Sequence, residues 1–407
     1  MKNAKIKLGI LSMSLLTMSA LVITSAFGAI METFPEEPVS KIQMIGTVPS
    51  LGALLITLVV GVLAMKVPKK ALALLGIAGV GLGGLLPIVF HSSVNVLLVC
   101  ALLMGLGLGF INTVSPMLLS MYFEGEERAS LMGAGTAINS LGSMVMMLVG
   151  GMLGAKVWSN TYYVFLITIL IFFVVMLCLP LDKVAPVQQT GKPKQSASEA
   201  IREMNKYVYL VAFLAFVISF LYTIFPSNLS ILVASKNFGG TAITGLVNAL
   251  GTVGGLIAGF TISKINRVLK DKSLAIGFVL MACSFLLVWY APNVAVMVVG
   301  AALSGVAMAM IFSTIPFYVS IISKPFQIAV AMSIFQFLNS LGGIVSPILL
   351  AQFGIESGAN AILFGGVCCL VVGGVLFVTN FGKKALANRY DASQETVAVA
   401  PETEVAN

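Results

Sequence analysis

Side chains that could perform acid–base, nucleophilic or metal chemistry are few in this chain. The single histidine is His91, and none of the 15 acidic residues falls well inside an apolar run. Glu32, Glu36 and Glu37 cluster at the end of the first run. The five cysteines lie inside apolar runs without metal-site or redox spacing, so we interpret them as packing residues. Because an enzyme needs a nucleophile with a base or a metal cluster, the sequence favours neither an enzyme nor a metal site, and it indicates no cofactor.

The chemistry that remains is hydrogen bonding by neutral polar side chains within apolar surroundings. Asn and Gln are costly to bury without partners, so amides at such positions point to ligand binding or to bonds between neighbouring helices. Hydroxyl groups at such positions can also serve either purpose, but they more often form a hydrogen bond to a neighbouring helix than to a ligand. The candidates for contact with a small solute are Asn112, Asn139, Tyr222, Asn248, Tyr318, Gln336 and Asn339.

Long apolar runs contain these candidates. Of the 407 residues, 58% are hydrophobic and 9% are charged, whereas soluble domains carry about 25% charged residues. A run of about 20 apolar residues crosses a bilayer as a helix, in which each backbone group is paired within its own segment. Twelve runs qualify, at 8–29, 44–65, 72–90, 94–122, 130–154, 160–180, 207–227, 240–263, 273–291, 294–322, 327–350 and 358–381. The sequence therefore predicts an all-α membrane protein with twelve transmembrane helices.

The basic residues predict an orientation for these helices. The formal net charge is +8, and with the N-terminus in the cytoplasm every Lys and Arg except Lys41, Lys156 and Lys236 falls in a cytoplasmic segment. This is the positive-inside bias of membrane proteins. We expect a multi-pass protein of the cell membrane, in contact with membrane lipid, with both termini in the cytoplasm. The sequence lacks basic patches interleaved with aromatic residues, so the charge does not indicate a nucleic-acid partner.

The twelve runs form two similar sets of six. The Asn-Ser-Leu-Gly segment 139–142 recurs at 339–342, and Pro116 recurs as Pro316 at the same offset. A constant offset indicates two parallel six-helix pseudo-repeats, related by an axis along the membrane normal, that enclose a site near the midplane and expose it to each side in turn. The predicted domains are a first bundle 1–181, a cytoplasmic linker 182–206, a second bundle 207–381 and a cytoplasmic disordered tail 382–407.

The first run could also be interpreted as a signal peptide. Lys2, Lys5 and Lys7 precede an apolar stretch that ends at Ala26-Phe27-Gly28-Ala29, which could pass as a cleavage site. Cleavage would leave eleven spans and put the two halves out of step. We therefore expect 8–29 to remain as the first transmembrane helix.

The loop Gly61-Val62-Leu63-Ala64-Met65-Lys66-Val67-Pro68-Lys69-Lys70 resembles the signature loop of the major facilitator superfamily. Met65 stands where the family has Asp, and Pro68 stands where it has Gly. The segment Glu124–Ala129 also resembles the family's loop between spans four and five, in which the Arg lies near the cytoplasmic gate. The resemblance implies the fold of this superfamily, and it implies gating roles for Gly61, Lys66, Lys69, Lys70 and Arg128.

Two prolines could add to the gate. Pro116 and Pro316 each remove a helical hydrogen bond near the cytoplasmic ends of spans four and ten. We expect these matched positions to serve as gating points.

Together these features predict a secondary-active or facilitative transporter of a small neutral or amphipathic organic solute that works by alternating access. Ionisable groups inside a membrane normally mark proton pathways, and the runs contain no acidic residue or histidine well inside them. Two alternatives stay open: proton-linked efflux of lipophilic compounds with Glu32 as the titrating group, and a transporter-like sensor that binds solute without moving it. We expect a monomer whose partners are membrane lipid and a small-molecule substrate.

Overall fold

The computed structural model describes residues 2–64, 67–123, 125–180, 201–324, 327–355 and 357–389. Within these ranges all regular secondary structure is helical. Ten spans are single α-helices: α2 (Val39–Leu63), α3 (Lys69–Val89), α4 (Val94–Tyr122), α5 (Gly125–Leu153), α7 (Lys206–Ser235), α8 (Thr241–Leu269), α9 (Ser273–Tyr290), α10 (Val294–Ile322), α11 (Ile328–Gln352) and α12 (Ala359–Val378). A short helix, α13 (Phe381–Ala387), follows them.

Two spans of the first half are composite. Span α1 consists of the α-helix Lys2–Ser14, the 3-10 segment Ser19–Ala26 and the α-helix Phe27–Thr33. Span α6 begins as the 3-10 segment Trp158–Leu166 and continues as the α-helix Ile167–Cys178. In α1, hydroxyl groups donate to carbonyl oxygens of the preceding turn, and this bonding competes with regular α-helix.

The helices are long and apolar enough to form a membrane protein. Eleven candidate spans meet that criterion, and the apolar part of α5, Ala137–Leu153, is a shorter twelfth. The predicted all-α membrane fold is therefore confirmed. Helix α2 begins at Val39 rather than at residue 44, because Ser40 and Lys41 lower the local hydropathy without preventing helix formation.

The spans form two bundles, each with its own apolar core. Buried residues of α1–α6 make one hydrophobic cluster, which Ala249 of α8 joins, and buried residues of α7–α13 make the other. Residues 181–200 and 390–407 lie outside the described ranges. The limits of the predicted linker 182–206 stay a prediction, whereas residues 382–387, at the start of the predicted disordered tail 382–407, belong to the helix α13.

Glycines at equivalent positions allow the same helix crossing in both bundles. A Cβ atom on Gly52 of α2 would lie 2.7 Å from the carbonyl oxygen of Leu102 in α4. A Cβ atom on Gly251 of α8 would lie 3.2 Å from the carbonyl oxygen of Ala301 in α10. Small residues let helix backbones approach this closely in membranes, so the repeated glycines are repeated packing contacts.

Because successive spans alternate in direction, their connections lie at two faces. We call the end where α6 finishes and α7 begins the linker face, and the opposite end, where α1 meets α2, the far face. The halves contact each other through α2 with α11, α5 with α8, and α1 with α7 and α8. Gly151 of α5 and Gly245 of α8 meet near the far face, where a Cβ atom on Gly151 would lie 2.9 Å from the Gly245 Cα.

Candidate functional site between the two halves

Neutral hydrogen bonds join the two halves at the far face. The backbone N–H of Gly28 in α1 donates to the Ser230 Oγ of α7 at 2.9 Å, and the Ser230 hydroxyl donates to the Ser25 carbonyl oxygen at 3.0 Å. Ser25 and Ser230 are both buried. Hydrogen bonds in such low-dielectric surroundings are stronger than they would be in water, so this contact holds α1 against α7.

Asn228 is the centre of a second group of bonds at the far face. Its Oδ1 accepts from the Gln43 Nε2 of α2 at 3.0 Å and from the backbone N–H of Gly358 at 2.8 Å, and its Nδ2 donates to the Ile224 carbonyl oxygen at 2.9 Å. Gln43 Nε2 also approaches the Ser227 carbonyl oxygen at 3.3 Å. The Asn228 side chain is fully buried with its donor and acceptor satisfied. We call Gln43, Asn228 and Ser230 the far-face latch.

The latch residues were not among the residues singled out from the sequence. Comparing the two halves finds polar residues that occur at equivalent positions in both. Gln43, Asn228 and Ser230 have no such equivalents, and each bonds to a different residue of the other half. The signal that could have found them is the polar segment 227–230 (Ser-Asn-Leu-Ser) next to Pro226, inside an otherwise apolar run.

Burial of polar side chains decreases from the far face towards the linker face. On α11, Ser346 is buried, Asn339 is half-buried and Gln336 is exposed. On α8, Asn248 is buried, whereas Thr252, one turn nearer the linker face, is half-buried. Together with the hydrogen bonds that join the halves at the far face, this gradient indicates that the halves are closed there and diverge towards the linker face.

Asn139 and Asn339 occupy equivalent helix crossings. Asn139 lies one turn before Gly142 of α5, where a Cβ atom would lie 3.0 Å from the Leu15 Cα of α1. Asn339 lies one turn before Gly342 of α11, where a Cβ atom would lie 3.0 Å from the Phe220 nitrogen of α7. Positions three residues apart share a helix face, so both amides lie beside these crossings. The Oδ1 atom of each is buried without a hydrogen-bond partner.

Asn248 lies on the face of α8 that is turned to the first half. Gly245, one turn earlier, would place a Cβ atom 2.7 Å from the Met147 carbonyl oxygen of α5, and the neighbouring Ala249 packs into the core of the first half. The Asn248 side chain is 8% exposed, and its Nδ2 is buried without a partner. Three of the seven predicted solute-contact residues thus carry a buried amide atom that lacks a hydrogen bond.

The other four predicted solute-contact residues have different surroundings. Asn112 of α4 and Gln336 of α11 are exposed. The Tyr222 ring is half-buried and makes an edge contact with Phe312 of α10, with centroids 6.4 Å apart. Tyr318 is 2% exposed and belongs to the core of the second half, with its hydroxyl beside Gly382 of α13. Tyr318 therefore packs against α13 rather than towards the first half.

The predicted gating residues lie around the linker face where the structure describes them. Lys70 Nζ donates to the Met176 carbonyl oxygen at 2.7 Å and so connects the start of α3 to the end of α6. Lys69 begins α3, and Gly61 lies in the last turn of α2. Helices α4 and α10 continue through Pro116 and Pro316. Lys66 and the side chain of Arg128 lie outside the described part of the chain.

Solved structures of transporters share this architecture. The chain is similar to a bacterial homologue of the human lysosomal transporter Spinster in an inward-facing, unoccupied conformation, with 14% identity, a TM-score of 0.74, and 96% of this chain and 99% of that chain covered. It is also similar to the nucleoside transporter NupG, with 16% identity, a TM-score of 0.72, and 94% and 99% covered. A D-xylose–proton symporter is similar as well, with 15% identity, a TM-score of 0.68, and 92% of this chain and 97% of that chain covered. At these identities the likeness shows the fold.

The sequence itself matches a family model. A comparison with curated proteins finds no significant match. The family model described as Major Facilitator Superfamily matches residues 9–347, which is most of the chain. With two six-helix bundles that meet at one face and diverge at the other, this multi-pass membrane protein belongs to the major facilitator superfamily of transporters.

Proposed function

We propose that this transporter carries a small neutral or amphipathic organic solute by alternating access. The observation that carries the proposal is the set of unpaired buried amide atoms on Asn139, Asn248 and Asn339. A buried amide without a partner costs about 1–3 kcal/mol. A solute that supplies the missing hydrogen bonds removes this cost, and amides on both halves allow one solute to contact both.

The apolar groups beside these amides favour a solute with an apolar face. Phe216 and Phe220 of α7 stack with their centroids 6.5 Å apart, next to the α7–α11 crossing. Phe335, one turn before Asn339, contributes to the core of the second half. Ligand sites commonly combine such aromatic walls with a few polar groups that fix orientation.

Exchange of solutes in vesicles of purified protein tests the proposal. Vesicles loaded with one unlabelled solute would be diluted into the same labelled solute, with nucleosides, sugars, neutral amphiphiles, organic anions and organic cations tested separately. We expect saturable exchange for at least one neutral or amphipathic solute and none in protein-free vesicles. Exchange confined to organic anions or cations would contradict the proposal.

Proton-linked efflux is the second candidate, because Glu32 lines a cavity between the halves at the far face. A proton-coupled carrier needs a group that changes protonation while it faces each side. We expect a pH gradient to drive no accumulation of the exchanged solute, since Glu32 lies at the mouth of the far face rather than beside the amides. Accumulation that is lost in Glu32→Gln would establish the second candidate in place of uncoupled transport.

A further inference from the structure

A cavity of about 350 Å³ lies at the far face, on the opposite side of the latch from the unpaired amides. Its walls come from both halves: the end of α1, the end of α7 and the loop that leads into α8. The Gly28–Ser230 hydrogen bond forms its floor, because both residues line it. Its volume is within the range of about 300–1,000 Å³ that small-molecule pockets occupy.

Small residues and the local backbone create this space. Gly28, Ala29 and Ala234 line the two helical walls. On the third side, Asn237 has φ of +54° and Gly239 has φ of +138°, so the chain turns sharply between α7 and α8. At Gly240 a Cβ atom would meet nothing within 4 Å, which shows that this glycine borders open space rather than packed atoms.

The polar lining is one carboxylate with several hydrogen-bonding groups. Glu32 lies one helical turn beyond Gly28, on the same face of α1, and so stands above the floor of the cavity. Asn237 and Thr241 line the opposite side. The Ser230 hydroxyl already accepts from Gly28 and donates to Ser25, which leaves one lone pair for a further donor.

Lys236, next to Asn237 in sequence, is turned away from the cavity. Lys236 Nζ donates to the carbonyl oxygens of Trp289 at 2.6 Å and Ala291 at 2.8 Å, at the end of α9. Burial lowers the pKa of this ammonium group, whose charge the two carbonyl oxygens and the helix end stabilise. Glu37 is likewise paired, with Lys41 at 2.8 Å. Among the acidic residues that the structure describes, Glu32, whose side chain is exposed, is the one that lines the cavity.

We propose that this far-face cavity is a binding site for a small hydroxylated amine in its protonated form, separate from the solute site between the halves. The ammonium group donates to the Glu32 carboxylate, a charge-assisted bond that is stronger than one between neutral groups. The hydroxyl groups bond to Asn237, Thr241 and the free lone pair of Ser230. Because the ligand contacts both halves above the latch, it binds the state in which the far face is closed.

Trp158 provides a native reporter of this site. Its indole Nε1 donates to the Thr33 Oγ1 at 2.9 Å, and Thr33 is the neighbour of Glu32. The chain has two tryptophans, so Trp289→Phe leaves Trp158 as the sole emitter. Binding at this cavity is measured without any transport, so loss of the proposed transport function would leave the measurement unaffected.

The experiment titrates purified Trp289→Phe protein with glucamine and, separately, with its neutral isostere sorbitol, at constant ionic strength and neutral pH. We expect a saturable change in Trp158 emission with glucamine and at least a tenfold weaker response to sorbitol. Equal responses to the two compounds, or none to glucamine, would overturn the proposal.

Two variants with matched controls locate the site. Glu32→Gln removes the carboxylate and should abolish the response, whereas Glu36→Gln changes an exposed carboxylate of the same segment and should preserve it. Gly240→Leu should block the cavity while leaving Glu32 in place. Gly374→Leu adds the same side chain in α12, where a Cβ atom also meets open space, and should bind normally. Full binding in Glu32→Gln or in Gly240→Leu would show that glucamine binds elsewhere.

Discussion

Asparagines in this protein have two opposite environments. Asn228 makes hydrogen bonds with Gln43, Gly358 and Ile224 and is fully buried. Asn139 and Asn339 each keep a buried Oδ1 atom without a partner. A satisfied buried amide stabilises the fold, whereas an unsatisfied one destabilises the unliganded state and becomes useful only when a ligand bonds to it.

This contrast predicts different effects for one substitution at three positions. Asn139→Ala and Asn339→Ala should leave the thermal stability of the unliganded protein unchanged or higher, because an unpaired buried group is removed. Each substitution should lower the affinity for the exchanged solute by about 5–150-fold, which corresponds to the loss of one hydrogen bond of about 1–3 kcal/mol. Thermal unfolding and solute exchange measure the two effects.

Asn228→Ala is the matched control, and it should lower thermal stability because it leaves the Gly358 N–H without its acceptor and Gln43 with only the longer bond to the Ser227 carbonyl oxygen. If Asn139→Ala and Asn339→Ala unfold at temperatures as low as Asn228→Ala with normal exchange, then these two amides are packing groups rather than solute contacts.

At the scale of elements, α1 is the least regular span. Its middle is a 3-10 segment, Ser19–Ala26, whereas the equivalent α7 is one continuous helix. The 3-10 segment contacts α5 and α8, and its last residues meet α7 at the latch. The far-face contacts therefore join an irregular span of one half to a regular span of the other.

The latch predicts how the far face opens. In Gln43→Ala the side-chain Oδ1 of Asn228 loses its hydrogen-bond donor in the first half. The closed far face should then be destabilised by about 1–3 kcal/mol, so the open state should be about 5–150-fold more populated. Spin labels at Glu36 and Phe353, which are exposed on opposite halves at the far face, would measure the change. We expect a longer-distance population to appear in the variant.

Glu37→Gln is the control for this measurement. It breaks the pair between Glu37, which precedes α2, and Lys41 in the first turn of α2, close to Gln43 but not between the halves. Partly exposed pairs of this kind contribute about 0–1 kcal/mol, so the distance distribution should stay as in the native protein. Equal distributions in all three proteins would mean that the latch does not determine the closed state.

At the scale of the whole molecule, the bundle is closed at the far face and divergent at the linker face. The basic residues concentrate at the linker face, with Lys383 and Lys384 in α13 and Lys270 and Lys272 before α9. Under the positive-inside rule we expect this face to lie in the cytoplasm, and the conformation would then be open to the cytoplasm.

This orientation predicts the labelling of single cysteines in a background without the five native ones. Cysteine at the exposed position Glu36 should react with an impermeant thiol reagent in intact cells. Cysteine at Lys383, which is exposed at the linker face, should react only after the membrane is permeabilised. Labelling of the Lys383 position in intact cells would reverse the predicted orientation.

The sequence by itself determined the membrane fold, the number of spans and the two-fold repeat. Hydrophobic length is a local property, since any helix in hydrocarbon must pair its own backbone groups whatever surrounds it. The repeated glycines could be predicted for the same reason, because Gly52 and Gly251 reflect backbone contacts that each half makes by itself. Asn139 and Asn339 stood out because a polar group at equivalent places in two apolar helices is conspicuous.

Only the tertiary structure decided what each polar group contacts. Asn228 and Asn139 are the same residue in similarly apolar helices, yet one is satisfied and the other is not. Tyr318 could not be distinguished from Tyr222 by sequence, but it packs beside α13 in the core of the second half. The hydrogen bonds between the halves at the latch join residues 184 to 205 positions apart in sequence. Contacts between the halves depend on how the two bundles meet. The polar segment 227–230 marks one side of the latch in the sequence, but no local pattern identifies its partners in the other half.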